Sequence, residues 1–383
     1  MNAQTTLTKG RLESLDILRG LTVTFMCMVN NPGTWGHMYA PMKHASWFGC
    51  TPADLIYPFF IFCMGCAMAF SLSKFKGNEK AGVWKIIKRS LAIFAIGFAL
   101  NMYPFFPTDG GHLVFGWDNW VDWLHGKRIF GVLQRIACSY LIAGLLIFSL
   151  KTPKKIIMAI AGLCVAYTAI LVAFGTEPGP FTLEGTISRK IDVALLGDSH
   201  VYHGYAFDDG TRAAFDPEGP LGSMTGAASC LLGYLIGLLL RKDTKAGNLS
   251  GDTVSRIFVF GMICLALAEL LSIWIPIGKP LWTPSYVLYA GGWAMIALAF
   301  FVYCVDVKGV HKPFKPFKVM GMNAMMAFIL SAVIVKSYQF FHYSVSTWFG
   351  ANEFTSFCHS VLFALIIMGL LWILYHKKIF IKL

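Results

Sequence analysis

Asn30, Asn31, His37, His44 and Asp54 fall within one short stretch of this chain, and their side chains are of the kinds that move protons. An imidazole can take a proton near neutral pH, and a carboxamide can donate to an oxyanion as it forms. Each also has a plainer reading. A histidine near a membrane interface is often a hydrogen-bonded structural residue, and asparagines before a proline (Asn30-Asn31-Pro32) are ordinary helix-stop residues. The run Thr51-Pro52-Ala53-Asp54 reads as a helix start, with Thr51 at the N-cap, Pro52 at the first helical position and a carboxylate in the first turn. His44 then lies a few residues from the positive end of a helix dipole, at the edge of an apolar segment.

The elements that position these residues follow from composition. The chain has 383 residues, of which 56% are hydrophobic and only 14% charged, with a mean hydropathy of +0.60. A soluble protein of this length carries roughly a quarter charged residues, so the fold expected is all-α and polytopic in a membrane. About ten segments approach bilayer-spanning length: 15–31, 53–73, 85–103, 129–150, 155–174, 221–240, 256–276, 285–305, 317–336 and 357–375. Ser14 is expected to cap the first. The net charge of +12 is not read as a nucleic-acid footprint. Most lysines and arginines lie on one set of connecting segments, the positive-inside pattern with both termini cytoplasmic. Residues 1–10 read as a mobile polar tail without a cleavable signal peptide. The ten cysteines lie mostly in spans, and Cys63-x-x-Cys66 has no second pair nearby, so no metal site is expected.

The segment KHASWFGCTPADLIYPFFIFCMG closely resembles the surroundings of the active-site histidine in the heparan-α-glucosaminide N-acetyltransferase family. SLDILRG and Val29-Asn30 upstream fit the same family. FGVLQR, LLGDSHVY, DPEGPLG, LWTPSYV, DVKG and GMN recur downstream in the family's order, so the likeness runs over most of the chain. The resemblance implies acetyl-CoA as co-substrate and an amino sugar as acceptor, with His44, Asn30 and Asp54 as the catalytic group. Asn31 competes with Asn30 for its role. The LDxxRG opening also resembles that of other membrane acyltransferases, which implies that Arg19 holds the donor; the plain alternative is an Asp16–Arg19 salt bridge three residues apart.

Charged residues inside spans face a partner or a polar cavity, because exposure to lipid costs at least about 2.5–3.5 kcal/mol. Arg135 is such a residue, and either a phosphate-bearing donor or a structural pair, Glu269 among the choices, would satisfy it. Asn323, at the start of the ninth segment, reads as interhelical glue or part of a cavity wall, and it joins Arg19 and Arg135 as a donor-binding candidate. Trp47, Asp216 and Glu218 are the acceptor-binding candidates, the two carboxylates lying in a long acidic segment, 175–220. Trp117, Trp120 and Trp123 recur every three residues and predict a short amphipathic helix in the headgroup layer.

The expectation is thus a single transmembrane acyltransferase domain, 1–383, in a bacterial inner membrane. It moves an acetyl group from cytoplasmic acetyl-CoA to an amine outside, either directly or through an acetyl-histidine. The lipid bilayer and the two substrates are the partners expected, and a homodimer is left open. The alternative class is a secondary transporter of a sugar or related solute. Its usual mark is a pair of broken helices in two repeats, and no second copy of the N-P-G…H…W…T-P-A-D pattern occurs in 200–383.

Overall fold

The structure, a computed structural model, describes residues 12–109, 112–340 and 345–381; the tail expected over 1–10 lies outside them. The long helices are α1 (Glu13–Val29), α2 (Pro52–Ser71), α3 (Glu79–Met102), α5 (Val132–Leu150), α6 (Pro153–Phe174), α8 (Ser223–Lys245), α9 (Gly251–Ser272), α10 (Pro284–Phe301), α12 (Ala324–Phe340) and α14 (Glu353–His376). Shorter helices join them: α4 (Trp117–His125), α7 (Ile187–Leu196), α11 (Lys315–Met322) and α13 (Ser346–Phe349). Strand occurs among the described residues as two small antiparallel pairs, Thr108–Asp109 with His112–Leu113 and Tyr205–Ala206 with Arg212–Ala213. The protein is therefore an all-α, polytopic membrane protein.

Each of the ten expected segments lies on helix, but they are not ten equal spans. Among the described residues, seven helices are long and apolar enough to cross a bilayer, and α11 with α12 would make an eighth if counted as one. That pair is bent by 71° at Asn323. Of the other two, α1 has 17 residues and α3 carries Lys80, Lys85, Lys88 and Arg89 in its first half. The first helix also starts two residues earlier than expected, with Leu12 rather than Ser14 at its N-cap.

Association of apolar helices in lipid depends on close packing, which favours small residues at the contacts. A Cβ on Gly65 would fall 1.8 Å from the carbonyl oxygen of Cys230, and one on Gly233 would fall 2.1 Å from that of Phe62. The α2 and α8 backbones therefore touch, and they form the centre of the bundle. Gly20 and Gly321 join α1 to α11 in the same way, since a Cβ on Gly321 would lie 1.8 Å from the Asp16 carbonyl. At the periphery, α6 exposes Ile157, Val165 and Val172 and α9 exposes Phe260, Ile263 and Leu267, a surface suited to lipid. The helix α4 forms as the tryptophan spacing predicts, with Trp117 fully on the surface.

The 175–220 segment is not a bare loop. It contains α7 and the second strand pair, and it has a small core of its own in Leu183, Ala213 and Phe215, completed by Leu281.

Candidate functional site

The start of α2 is built around one carboxylate. Asp54 is almost wholly buried, and its Oδ2 accepts from the backbone N–H groups of Ala45 (3.0 Å) and Thr51 (3.1 Å) and from the Thr51 hydroxyl (3.0 Å). The Thr51 contact is the reciprocal half of a capping box, which the sequence predicts. The bond to Ala45 does more, because it pins the residue next to His44. The other oxygen, Oδ1, lies 2.7 Å from His44 Nδ1 and 3.1 Å from Lys279 Nζ. A buried carboxylate with five donors is compensated well enough to stay charged in an apolar setting. With Nδ1 engaged, the His44 ring is orientable in one way only, and Nε2 is left as its reactive nitrogen.

His44 lines a cavity of about 200 Å³ with Asn30, Glu218 and Lys279 around an apolar floor that includes Val23, Met26 and Phe328. A second cavity, about 670 Å³, lies toward the other end of α1 and α2. Its wall carries Arg19, Lys74, Arg89, Arg241 and Lys245, with Asp16 as its acidic residue. Phe60, Ile136, Ala324 and Met325 line both cavities. The two spaces therefore abut through a thin apolar septum, half of it supplied by the first residues after the break at Asn323.

The candidate residues separate clearly in this arrangement. Asn30 lies in the cavity with His44. Asn31 is buried instead between α1 and α14: its Nδ2 donates to the Cys27 carbonyl at 2.7 Å, and its own carbonyl is 3.1 Å from His359 Nδ1. His37 is exposed. Arg19 pairs with Asp16 at 2.9 Å and donates through Nε to the Gly321 carbonyl at 2.8 Å. That carbonyl ends α11, where backbone acceptors lack intrahelical donors, so Arg19 both closes a helix end and lines the basic cavity.

Other candidates are engaged elsewhere. Arg135 is buried but lines neither cavity; its guanidinium lies 5.2 Å from the Trp282 ring centre, and its Nη2 donates to the Gly219 carbonyl at 3.4 Å. Glu269 is exposed on α9 and is not its partner. Asn323 holds the end of the chain: its Nδ2 donates to the Ile379 carbonyl and its Oδ1 accepts from the Ile381 N–H, both at 3.0 Å. Trp47 donates its indole N–H to the Phe181 carbonyl at 2.7 Å and packs on Tyr205 and Phe215, anchoring the 175–220 segment. Asp216 is buried beneath Arg128, which grips it through Nε at 2.8 Å and Nη2 at 2.6 Å. The same Nη2 contacts Glu218, and Glu218 alone of the two carboxylates reaches the His44 cavity.

Two members of the site carry no sequence signal that reveals them. Lys279 is separated from His44 by most of the chain, and Arg128 is just one of the basic residues near a span end. Trp47, Asp216 and Asn323 were findable as constrained residues, but spacing cannot tell an anchor from a ligand contact.

The class defined by this fold and site is a polytopic membrane protein in which a partly exposed histidine at a cavity wall is paired with a buried carboxylate. Residues 11–191, a little under half of the chain, match the family model described as heparan-alpha-glucosaminide N-acetyltransferase, catalytic, the same family that the motifs resemble. The chain is also 28% identical to the heparan-alpha-glucosaminide N-acetyltransferases of Homo sapiens, over 417 residues, and of Mus musculus, over 425 residues. Each match takes in 97% of this chain and 60% of the relative, so the chain spans about 60% of the length of these curated relatives.

Proposed function

We propose that the chain is a transmembrane N-acetyltransferase, which moves the acetyl group of cytoplasmic acetyl-CoA to the amine of a glucosamine or glucosaminide on the other side. The observation that carries this reading is the pair of abutting cavities, one basic and roomy, the other small and holding His44. Coenzyme A is a polyanion on a long narrow arm. Its phosphates suit the wall of Arg19, Arg89 and Arg241, and its arm is the part able to reach through the septum at Phe60 and Met325.

In the small cavity the acceptor amine attacks the thioester carbonyl while His44 Nε2 takes the amine's proton. The oxyanion formed is within the domain of the Asn30 carboxamide. Collapse of the tetrahedral intermediate breaks the carbon–sulfur bond, and the departing thiolate recovers the proton from His44. An acetyl-histidine route uses the same nitrogen as nucleophile. Asp54 holds the ring in either case. Glu218, at the cavity wall, suits the charge of an amino-sugar ammonium before it loses its proton.

The same reading takes 1–383 as one acyltransferase domain in a bacterial inner membrane, with the basic cavity on the cytoplasmic side. It is tested by incubating purified protein in nanodiscs with labelled acetyl-CoA and a panel of amino sugars, and analysing the products by mass spectrometry. An N-acetylated sugar formed one for one with free coenzyme A is expected. Absence of product together with absence of acetyl-CoA binding overturns the proposal. The broken span at Asn323 favours a sugar transporter as the second reading, and uptake of labelled glucosamine into proteoliposomes without acetyl-CoA would establish it.

A further inference from the structure

Lys279 belongs to a turn that is fixed before it reaches the site. Gly49 donates its N–H to the Ile277 carbonyl at 2.7 Å, and Gly49 and Gly278 form an isolated bridge. Thr283, which caps α10, accepts from the Gly278 N–H at 3.1 Å and donates to the Pro276 carbonyl at 2.8 Å. The turn therefore ties the start of α10 to the loop that carries His44. From it the Lys279 side chain, largely covered at 19% exposure, extends to Asp54 Oδ1 at 3.1 Å and to His44 Nδ1 at 3.2 Å.

Three groups meet in this triangle, and just one of them is an acid. An ammonium and an imidazole cannot both use Asp54 Oδ1 fully, because a histidine that gains a second proton places a cation against a cation. The remaining charges near the cavity do not cancel this. Glu218 is held by Arg128, Cys50 is a thiol pushed up to about 12 by burial, with Asp54 adding to the shift, and Tyr57 donates to the Val132 carbonyl.

We infer that Lys279 is a positioning member of the site, an ammonium that shares Asp54 with His44 and so sets the orientation of the imidazole ring toward the cavity. The inference rests on the acetyltransferase reading for its purpose, but its physical content can be measured without that activity. Lys279 favours the arrangement in which His44 Nδ1 keeps its proton toward Asp54 and Nε2 faces the cavity with a lone pair. With the lysine removed, one restraint on Asp54 Oδ1 is lost, and the ring is free to turn Nε2 away from the cavity.

The test follows the rate at which diethyl pyrocarbonate carbethoxylates the His44 peptide at one fixed alkaline pH in the full chain, a rate set by how the ring nitrogen is presented to the cavity. Lys279→Met is expected to change that rate severalfold, and Lys279→Arg to restore it. The transfer rate should fall in Lys279→Met and recover in Lys279→Arg, while KM for acetyl-CoA stays within about twofold. Lys279→Gln keeps an N–H for Asp54 without the charge, and it carries the test should the methionine variant fail to fold. Equal carbethoxylation rates in wild type and the uncharged variant overturn the inference. A changed carbethoxylation rate in a protein that transfers no acetyl group leaves it standing and overturns the acetyltransferase reading alone.

Discussion

The two cavities hold cations in opposite ways. At the His44 end a single ammonium is held by a buried carboxylate that it shares with an imidazole, beside a space of about 200 Å³. At the Arg19 end five cationic residues line about 670 Å³, and the acidic residue among them, Asp16, is paired with Arg19. Small volume and matched donors fix a few atoms in place, which is what proton transfer needs. Large volume and unmatched charge attract an anion without dictating its pose, which suits a flexible phosphate-bearing ligand. The septum at Phe60, Ile136, Ala324 and Met325 separates the two tasks.

The largest expected effect breaks the small cavity alone. His44→Ala should lower the transfer rate by about 10²–10⁴-fold and leave acetyl-CoA binding unchanged, as measured by calorimetry beside a product assay. His44 sits in a partly exposed loop, so melting should stay near that of wild type. The exposed His37→Ala is the control and should behave as wild type. Retention of more than about a tenth of the rate at saturating donor would return His44 to a structural role. Asp54→Asn should lower both rate and melting temperature, because Asp54 holds the first turn of α2 as well as the ring.

A smaller effect, of opposite pattern, comes from the large cavity. Arg241→Met removes a cation from the end of α8 without touching any contact in the His44 triangle. Donor affinity should weaken about ten- to hundredfold, the value of a charge-assisted hydrogen bond at roughly 1.5–3 kcal/mol, with acceptor affinity within twofold. The loss should shrink as salt rises, since exposed charges are screened. Unchanged acetyl-CoA binding at every salt concentration would divorce this cavity from the donor.

Local signals were legible in the sequence, and distant ones were not. The start of α2 could be read because Thr51, Pro52 and Asp54 act within one turn, and His44 lies ten residues from its partner. The broken ninth span could be suspected from Gly321-Met322-Asn323, yet its 71° bend depends on where α1 and the chain's end hold it. Lys279 escaped notice because its contact with His44 joins residues from opposite halves of the chain. Arg89 and Arg241 read as topology signals, and they are basic residues at span ends by any sequence criterion; that they share a cavity wall is a fact of packing. Asp216 misled for a related reason. An acidic residue in an acidic segment looks available until Arg128, brought alongside from before α5, covers it.

The smallest effect tests whether the comparison extends into the 175–220 segment, which closes over the His44 end. Asp192, on α7, is buried with its Oδ2 accepting from the Asp216 N–H at 3.1 Å, while its Oδ1 has no partner among the described residues. Burial pushes its carboxyl up to about 8; the Asp216 N–H opposes this, and the Asp216 carboxylate adds to it. A folded value above the unfolded one of 3.8 means that the protonated form is the stable one in the fold. Its contribution is complete below about pH 4 and is lost as the pH rises toward 8. Asp192→Asn fixes the neutral state, so the variant's melting temperature should gain on wild type by about 2–4 °C between pH 5 and pH 9, whatever the constant offset from the new amide. Parallel melting curves across that range would mean that Asp192 is ionised in the fold. The His44 end would then rest on a second buried carboxylate, and the contrast between a matched cavity and an unmatched one would have to be drawn without this segment.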